Sequence, residues 1–154
     1  MDQLEELMVK LQEQVQDAVK NNVVETIKDV ETEHIREDVY NTYTPTGNQK
    51  YKRRYEDDGL IDKENMKEVI KKEDNTISLD ITNDTLENQD YPNADQDYID
   101  SIIENGEGYT WKNSQIYQEQ PYPRPFTENT YKDLEENKQH ITALKEGLKQ
   151  YNIE

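Results

Sequence analysis

From Leu4 to Val39 apolar residues recur at helical spacing: Leu4, Leu7, Met8, Leu11, Val15, Ala18, Val19, Val23, Ile27 and Val30, with acidic and amide residues between them. Steps of three and four residues put such positions on one face of a helix, so the pattern predicts an amphipathic N-terminal helix over residues 1–39. A continuous helix of ~36 residues is ~54 Å long, more than a compact domain of this size covers on one side. Part of the stripe, represented by Leu11 and Ile27, is then expected to face another chain. The alternative is two shorter helices broken near Asn21 and Asn22, both packed internally.

Pro45 and Gly47 end the helical pattern and open a loop. Thr76 to Thr82 alternates Ile77, Leu79 and Ile81 with polar residues and reads as a half-buried strand. Asp74 and Asn75 supply turn chemistry, so Met66 to Lys72 is its antiparallel hairpin partner, although the same residues would pass as a helical turn. Asn83 to Asp97, rich in Asp and Asn, has almost nothing to bury and is expected to be a surface loop. Tyr98 to Glu104 places Tyr98, Ile99, Ile102 and Ile103 on one face of a short helix, with Gly106 as a left-handed terminator. Thr110 to Gln118 is ambiguous, a third strand carrying Trp111 and Ile116 being one reading.

Three prolines at alternate positions make Pro121 to Phe126 extended, a rigid lead-in to a last helix. Thr127 is its expected cap, with Glu128 in the first turn and Tyr131, Leu134, Ile141, Leu144, Leu148 and Tyr151 as its apolar stripe. The order gives an α+β fold in one domain over 1–154: the N-terminal helix over 1–39, a hairpin with loops and a short middle helix over 40–126, and the C-terminal helix over 127–154.

Composition narrows this picture. With 31% hydrophobic and 34% charged residues and a net charge of −17, apolar burial competes with self-repulsion, and a small core completed by partner subunits is the expectation. Eleven tyrosines and a tryptophan argue against full disorder. The absence of cysteine excludes disulfides, a thiol nucleophile and a Cys-based zinc site. No stretch approaches the ~20 apolar residues of a membrane span, and the acidic start lacks the form of a leader, so a soluble protein made in a cytosol is expected. Between Glu73 and Trp111 there are eleven carboxylates and no Lys or Arg, whereas Tyr40 to Lys72 carries eight basic residues against six acidic ones. Such a field repels nucleic acid and anionic membrane, and favours a basic partner.

Catalytic chemistry is not legible. His34 and His140 each read as exposed helix histidines without a second His at metal-pair spacing. Asp95, Asp97 and Asp100 resemble a calcium loop only faintly, because Asp100 and Gly106 stand where the loop needs glycine and a bidentate Glu. No phosphate cradle is present. The expectation is a protein that is not an enzyme and has no cofactor and no metal. One motif stands out: Tyr51, Lys52, Arg53, Arg54 and Tyr55, followed by Glu56, Asp57 and Asp58. Adjacent acids cancel its charge, so Tyr51, Arg53, Arg54 and Tyr55 are read as half of a two-signed subunit interface rather than as a nucleic-acid site.

Val39-Tyr40, Tyr43 to Thr46, Tyr51 to Tyr55 with Gly59 to Asp62, Gln120 to Phe126 and the closing helix together resemble the tail-completion or neck proteins of long-tailed bacteriophages of Gram-positive hosts, the head-tail joining minor structural proteins. The resemblance covers Val39 to Ile153. It implies a virion protein of the neck, made in the host cytoplasm and working in a homo-oligomeric ring. The ring would meet connector or adaptor proteins on one side and tail terminator or tail tube proteins on the other, with DNA passing through but not specifically bound. It also implies a structural role for Arg124, Pro125 and Phe126. The acidic loop from Glu73 to Glu107 and the polar N-terminal helix depart from the family pattern. The rival class is a small acidic DNA mimic that inhibits a nucleic-acid enzyme, which the net charge fits but the proline motif does not require. Within a ring, the nine carboxylates of Asp80 to Glu107 would either line the DNA path or form a solvated outer loop.

Overall fold

The computed structural model describes residues 2–44, 53–86, 98–107 and 121–154. A capping box starts the first helix: the Asp2 carboxylate accepts from the Glu5 amide at 2.8 Å, and the Glu5 carboxylate accepts from the Asp2 amide at 3.2 Å. Helix α1 (Gln3–Ala18) does not stop at Asn21 and Asn22. It passes through a π-helical turn, Val19–Val23, into α2 (Val24–His34) and on through a second π-helical turn, Ile35–Tyr40. The long-helix reading holds and the broken-helix alternative does not. The asparagine pair instead sits where the helix widens and re-aims its apolar stripe.

This long helix is a spine with an element laid along each of two sides. On one side lies the antiparallel hairpin of β1 (Met66–Glu73) and β2 (Thr76–Asn83), in register from Met66↔Asn83 to Glu73↔Thr76. The two-residue connection has Asp74 at φ 50, in the left-handed region that Asp tolerates. Alternation puts Met66, Ile70, Ile77, Leu79 and Ile81 on the covered face, while Lys67, Val69, Lys71, Ser78 and Asp80 stay exposed. The hairpin is anchored by Asn83 to Glu31 at its base, by a 2.7 Å ion pair of Glu68 with Lys28, and by the Gln12 amide on the Asp74 carbonyl at 2.9 Å at its tip. The lengths match: eight strand residues span ~26 Å, and the spine from residue 12 to 31 spans ~28 Å.

On the other side the C-terminal region runs antiparallel to the spine, from the His34–Asp133 contact to the Tyr151 hydroxyl on Asp17. The single last helix expected from the sequence is two, α4 (Phe126–Asn137) and α5 (Gln139–Lys149), separated by Lys138 at φ 57. Tyr131 and Ile141 face outward, 63% and 39% exposed; of the rest of the expected stripe Leu134 is buried and Leu144, Leu148 and Tyr151 are half-buried, and Thr130, Ala143 and Gly147 join the buried line. Small residues are needed because the backbones approach closely. A Cβ on Gly147 would lie 2.6 Å from the Asn22 side-chain oxygen and 2.9 Å from the Ala18 Cβ. Gly147→Ala is therefore expected to lower stability by about 1–3 kcal/mol, despite the ~1 kcal/mol by which alanine favours a helix interior. A urea titration of the variant checks this; a gain in stability would show that the crossing tolerates a methyl group.

Thr127 does not cap the last helix. Helix α4 begins one residue earlier than expected, and the carboxylate of Glu104, on α3 (Ile99–Asn105), accepts from the amides of Thr127 at 2.9 Å and Glu128 at 3.0 Å. An anionic cap from another element serves the orphan donors and the helix dipole together. Gly106 ends α3 at φ 68 as expected, and a Cβ there would meet the Pro123 nitrogen at 2.3 Å. The lead-in is pinned at the same point by the Arg124 amide on the Ile103 carbonyl, 2.9 Å.

Ile35, Val39, Tyr40, Leu60, Ile61, Met66, Ile103 and Phe126 form the core, with Ile81 and Ile99 packed against it. The stretch beginning at Asn83 is not entirely a surface loop: Asn83 and Thr85 are buried. Asn83 donates to the Leu60 carbonyl at 2.8 Å and accepts from the Thr85 hydroxyl. The buried Leu60 carbonyl needs a donor and Asn83 supplies it, while the Thr85 hydroxyl satisfies the Asn83 side-chain oxygen. The ambiguous segment Thr110 to Gln118, Pro45 and Gly47, and residues 87–97 of the acidic stretch lie outside the described residues.

Candidate interaction site

The hairpin reaches the spine no further than Gln12, and α5 ends alongside Asp17. The first ten residues of the spine consequently project beyond both covering elements. Leu4, Leu7, Met8 and Leu11 are 67%, 63%, 42% and 42% exposed. They fall three, four and seven residues apart and so share one face. Glu5, Glu6 and Glu13 point away from that face on the helical wheel. Ile27, grouped with Leu11 by periodicity, is half-buried in the body of the fold. The two residues do not share a surface.

The tyrosine-arginine motif lies at the other end of the spine. Tyr51 is outside the described residues. The Arg53 guanidinium donates to the carbonyls of Tyr40, at 3.1 Å, and Tyr43, and lies 4.5 Å from the centre of the Tyr40 ring. Tyr43 and Tyr55 complete the aromatic surround, each 5.9 Å away, and Tyr55 meets Tyr40 edge-on at 5.1 Å. A planar cation suits this position, because it bonds in its plane and stacks on its faces. Arg54 donates to the Leu86 carbonyl at 2.6 Å. Arg53 thus fastens the returning chain to the end of the spine and Arg54 fastens it to the chain beyond the hairpin, while Tyr55, 46% exposed, is the described aromatic of the motif open to a partner. Arg124 and Phe126 are buried and Pro125 is half-buried, at the junction of α3, α4 and the core.

Two titratable sites escaped the sequence reading. His34 is not an exposed histidine: its Nδ1 lies 2.9 Å from Asp38 and its Nε2 3.0 Å from Asp133, joining the spine to α4. The Asp38 partner was legible at the i, i+4 spacing; Asp133, distant in sequence, was not. Burial pushes the imidazolium down, but the hydrogen bonds and charges of Asp133 and Asp38 outweigh it, and the His34 pKa is raised. One turn earlier, Glu31 is buried and its pKa is raised by that burial and by Asp100 and Glu104, against the opposing Asn83 hydrogen bond and Lys28. A carboxyl raised in the folded state stabilises below its ordinary value of 4.5 and loses that contribution as pH rises through the raised value. Glu31→Gln keeps an acceptor for Asn83 and is expected to melt higher than the parent near neutral pH. Thermal melts from acid to neutral pH check this, and a gap that does not narrow on acidification would contradict it.

Among the described residues no group of three or more His, Asp or Glu side chains is placed to hold a metal ion, and no helix is long and apolar enough to cross a membrane. The YomN family matches residues 3–150, spine, hairpin and C-terminal helices together. The chain belongs to the YomN family. The family's name is phage-derived, of the Bacillus phage SPBeta type, and is consistent with a phage protein. No curated protein and no solved structure matches. The YomN match takes in the projecting helix end as well as the folded body, so the exposed stripe belongs to the family region.

Proposed function

We propose that this YomN-family chain is a non-enzymatic structural subunit of the phage neck, joining or completing the tail at the head connector as one member of a ring around the DNA path. The observation that carries the reading is the projecting end of the spine, whose apolar face has no partner within the described residues. Four large apolar side chains on a helix end in water are the signature of a surface that another chain covers. The resemblance of Val39 to Ile153 to neck proteins supplies the kind of partner, connector or adaptor proteins and tail terminator or tail tube proteins. The net charge of −17 suits a conduit that DNA must cross without adhering.

The test is a phage lysate in which this gene is disrupted. Filled heads and free tails should accumulate unjoined, and the parent protein supplied in trans should restore joined particles. A copy carrying Leu7→Asp and Leu11→Asp is expected to fold, since both sites are exposed, yet to fail in complementation. Normal particle yield without the gene would remove the reading. Growth arrest of cells expressing the protein alone, with inhibition of a nucleic-acid enzyme, would favour the DNA mimic instead.

A further inference from the structure

We propose that Leu4, Leu7, Met8 and Leu11 form the seam of an antiparallel helix pair with the same four residues of a second copy of this chain, and that this dimer is the form of the free subunit. The first support is continuity with a seam already filled. Leu4, Leu11 and Ala18 follow one another at seven-residue steps, and α5 packs antiparallel over Ala18 and Asn22 through Gly147. Where α5 runs out beside Asp17, the same line of the spine continues bare to Leu4. A helix arriving antiparallel prolongs α5 along a track that already accepts that orientation.

Charge decides which helix fits and which way round. The positions flanking the seam are Gln3, Lys10 and Gln14 on one side and Glu5 and Gln12 on the other; in the antiparallel pair Glu5 comes level with Met8 and Gln12 of the other copy, so no carboxylate faces a carboxylate. With the two-fold axis between Leu7 and Met8, Leu4 of one copy faces Leu11 of the other. A parallel pair would set two bodies of charge −17 side by side; the antiparallel pair holds them at opposite ends, beyond the ~8 Å over which charge acts in physiological salt. It also brings the acidic first turn of one copy, Asp2 and Glu5, about 8 Å along the axis from the end of α5 in the other. Lys149 lies there, exposed and in no ion pair among the described residues.

The contact involves ~15 Å of helix and falls short of the ~800 Å² per partner of a standard stable interface. Pairing is therefore weak and reversible. A ring with a head side and a tail side is polar and cannot contain this two-fold, so on the neck reading the stripe is exchanged from the second copy to a neck partner during assembly. That exchange rests on the proposed function; the dimer does not.

The chain has no cysteine, which makes single-cysteine cross-linking of the full chain clean. Leu4→Cys and Leu11→Cys proteins, mixed at high concentration and oxidised, are expected to give the mixed disulfide in large excess over either homodimer. Leu7→Asp added to both chains should reduce the yield to that of Ser78→Cys, an exposed hairpin control. Melting curves equal to the parent's would show that the variants are folded. Homodimers of Leu4→Cys in excess would overturn the antiparallel arrangement, and mixed disulfide no more abundant than in the control would overturn the dimer. Because this is read on purified protein and joining on lysates, the two proposals fail separately.

Discussion

Phe126→Ala is expected to cost about 3–5 kcal/mol, enough to leave much of the protein unfolded if its total stability lies in the usual range of about 5–15 kcal/mol. The side chain is fully buried and belongs to the core of Ile35, Val39, Tyr40, Leu60, Ile61, Met66 and Ile103. These neighbours come from the spine, the chain before the hairpin, the first strand and α3, so one cavity loosens every layer at once. Few residues could compensate, because only 31% of the chain is hydrophobic and this is its single phenylalanine. Its backbone also opens α4, with the Glu104 cap on the next two amides. Phe126→Leu keeps most of the volume and is expected to cost about 1–2 kcal/mol. Urea titrations followed by circular dichroism measure both. Losses below ~1 kcal/mol for Phe126→Ala would mean that the site collapses around the gap and that the core is not organised on this residue.

The elements that sequence made visible are those whose information is local. The periodic spine, the hairpin with its two-residue turn and the Gly106 terminator each follow from residues within a few positions of one another. What was missed depends on contacts distant in the chain. The break at Lys138 leaves no mark in the periodicity of Leu134, Ile141 and Leu148. It accompanies the crossing of Gly147 on Ala18 and Asn22, a contact between residues far apart in the chain. The Glu104 cap is a carboxylate among many until α3 places it over the start of α4. Asn83 and Thr85 looked like solvent residues because polarity predicts exposure on average, while the buried Leu60 carbonyl draws the Asn83 amide inward and the Asn83 oxygen in turn draws the Thr85 hydroxyl. The candidate site divides in the same way. Leu11 was legible as an exposed stripe residue, whereas Arg53 and Arg54, read as a surface patch, bond to backbone carbonyls of their own chain.

The second large effect is expected at His34, whose replacement by glutamine should cost roughly 1.5–3 kcal/mol in mildly acidic solution and much less in alkaline solution. A neutral imidazole carries one N–H, yet both ring nitrogens face carboxylates, Asp38 on the spine and Asp133 on α4. Only the imidazolium donates to both. The partners are themselves held: Asn129 donates to Asp38 at 3.0 Å, and Asp133 accepts from Asn137 at 2.6 Å and Gln139 at 3.0 Å. Those two amides and then His34 lower the Asp133 pKa, while the His34 pKa is raised. A raised histidine stabilises fully below its ordinary value of 6.5 and stops doing so as pH rises through the raised value; a lowered aspartate stabilises fully above 3.8 and stops as pH falls through the lowered one. The clamp is thus complete between those two ordinary values and weakens on either side. Glu31 also makes the parent less stable as pH rises, but it is present in both proteins and cancels in their difference. Stability of parent and His34→Gln, measured by urea titration across this range, should differ most in mildly acidic solution and converge in alkali. A difference independent of pH would mean that His34 acts there by packing alone, and that the spine and α4 are not joined by a charged clamp.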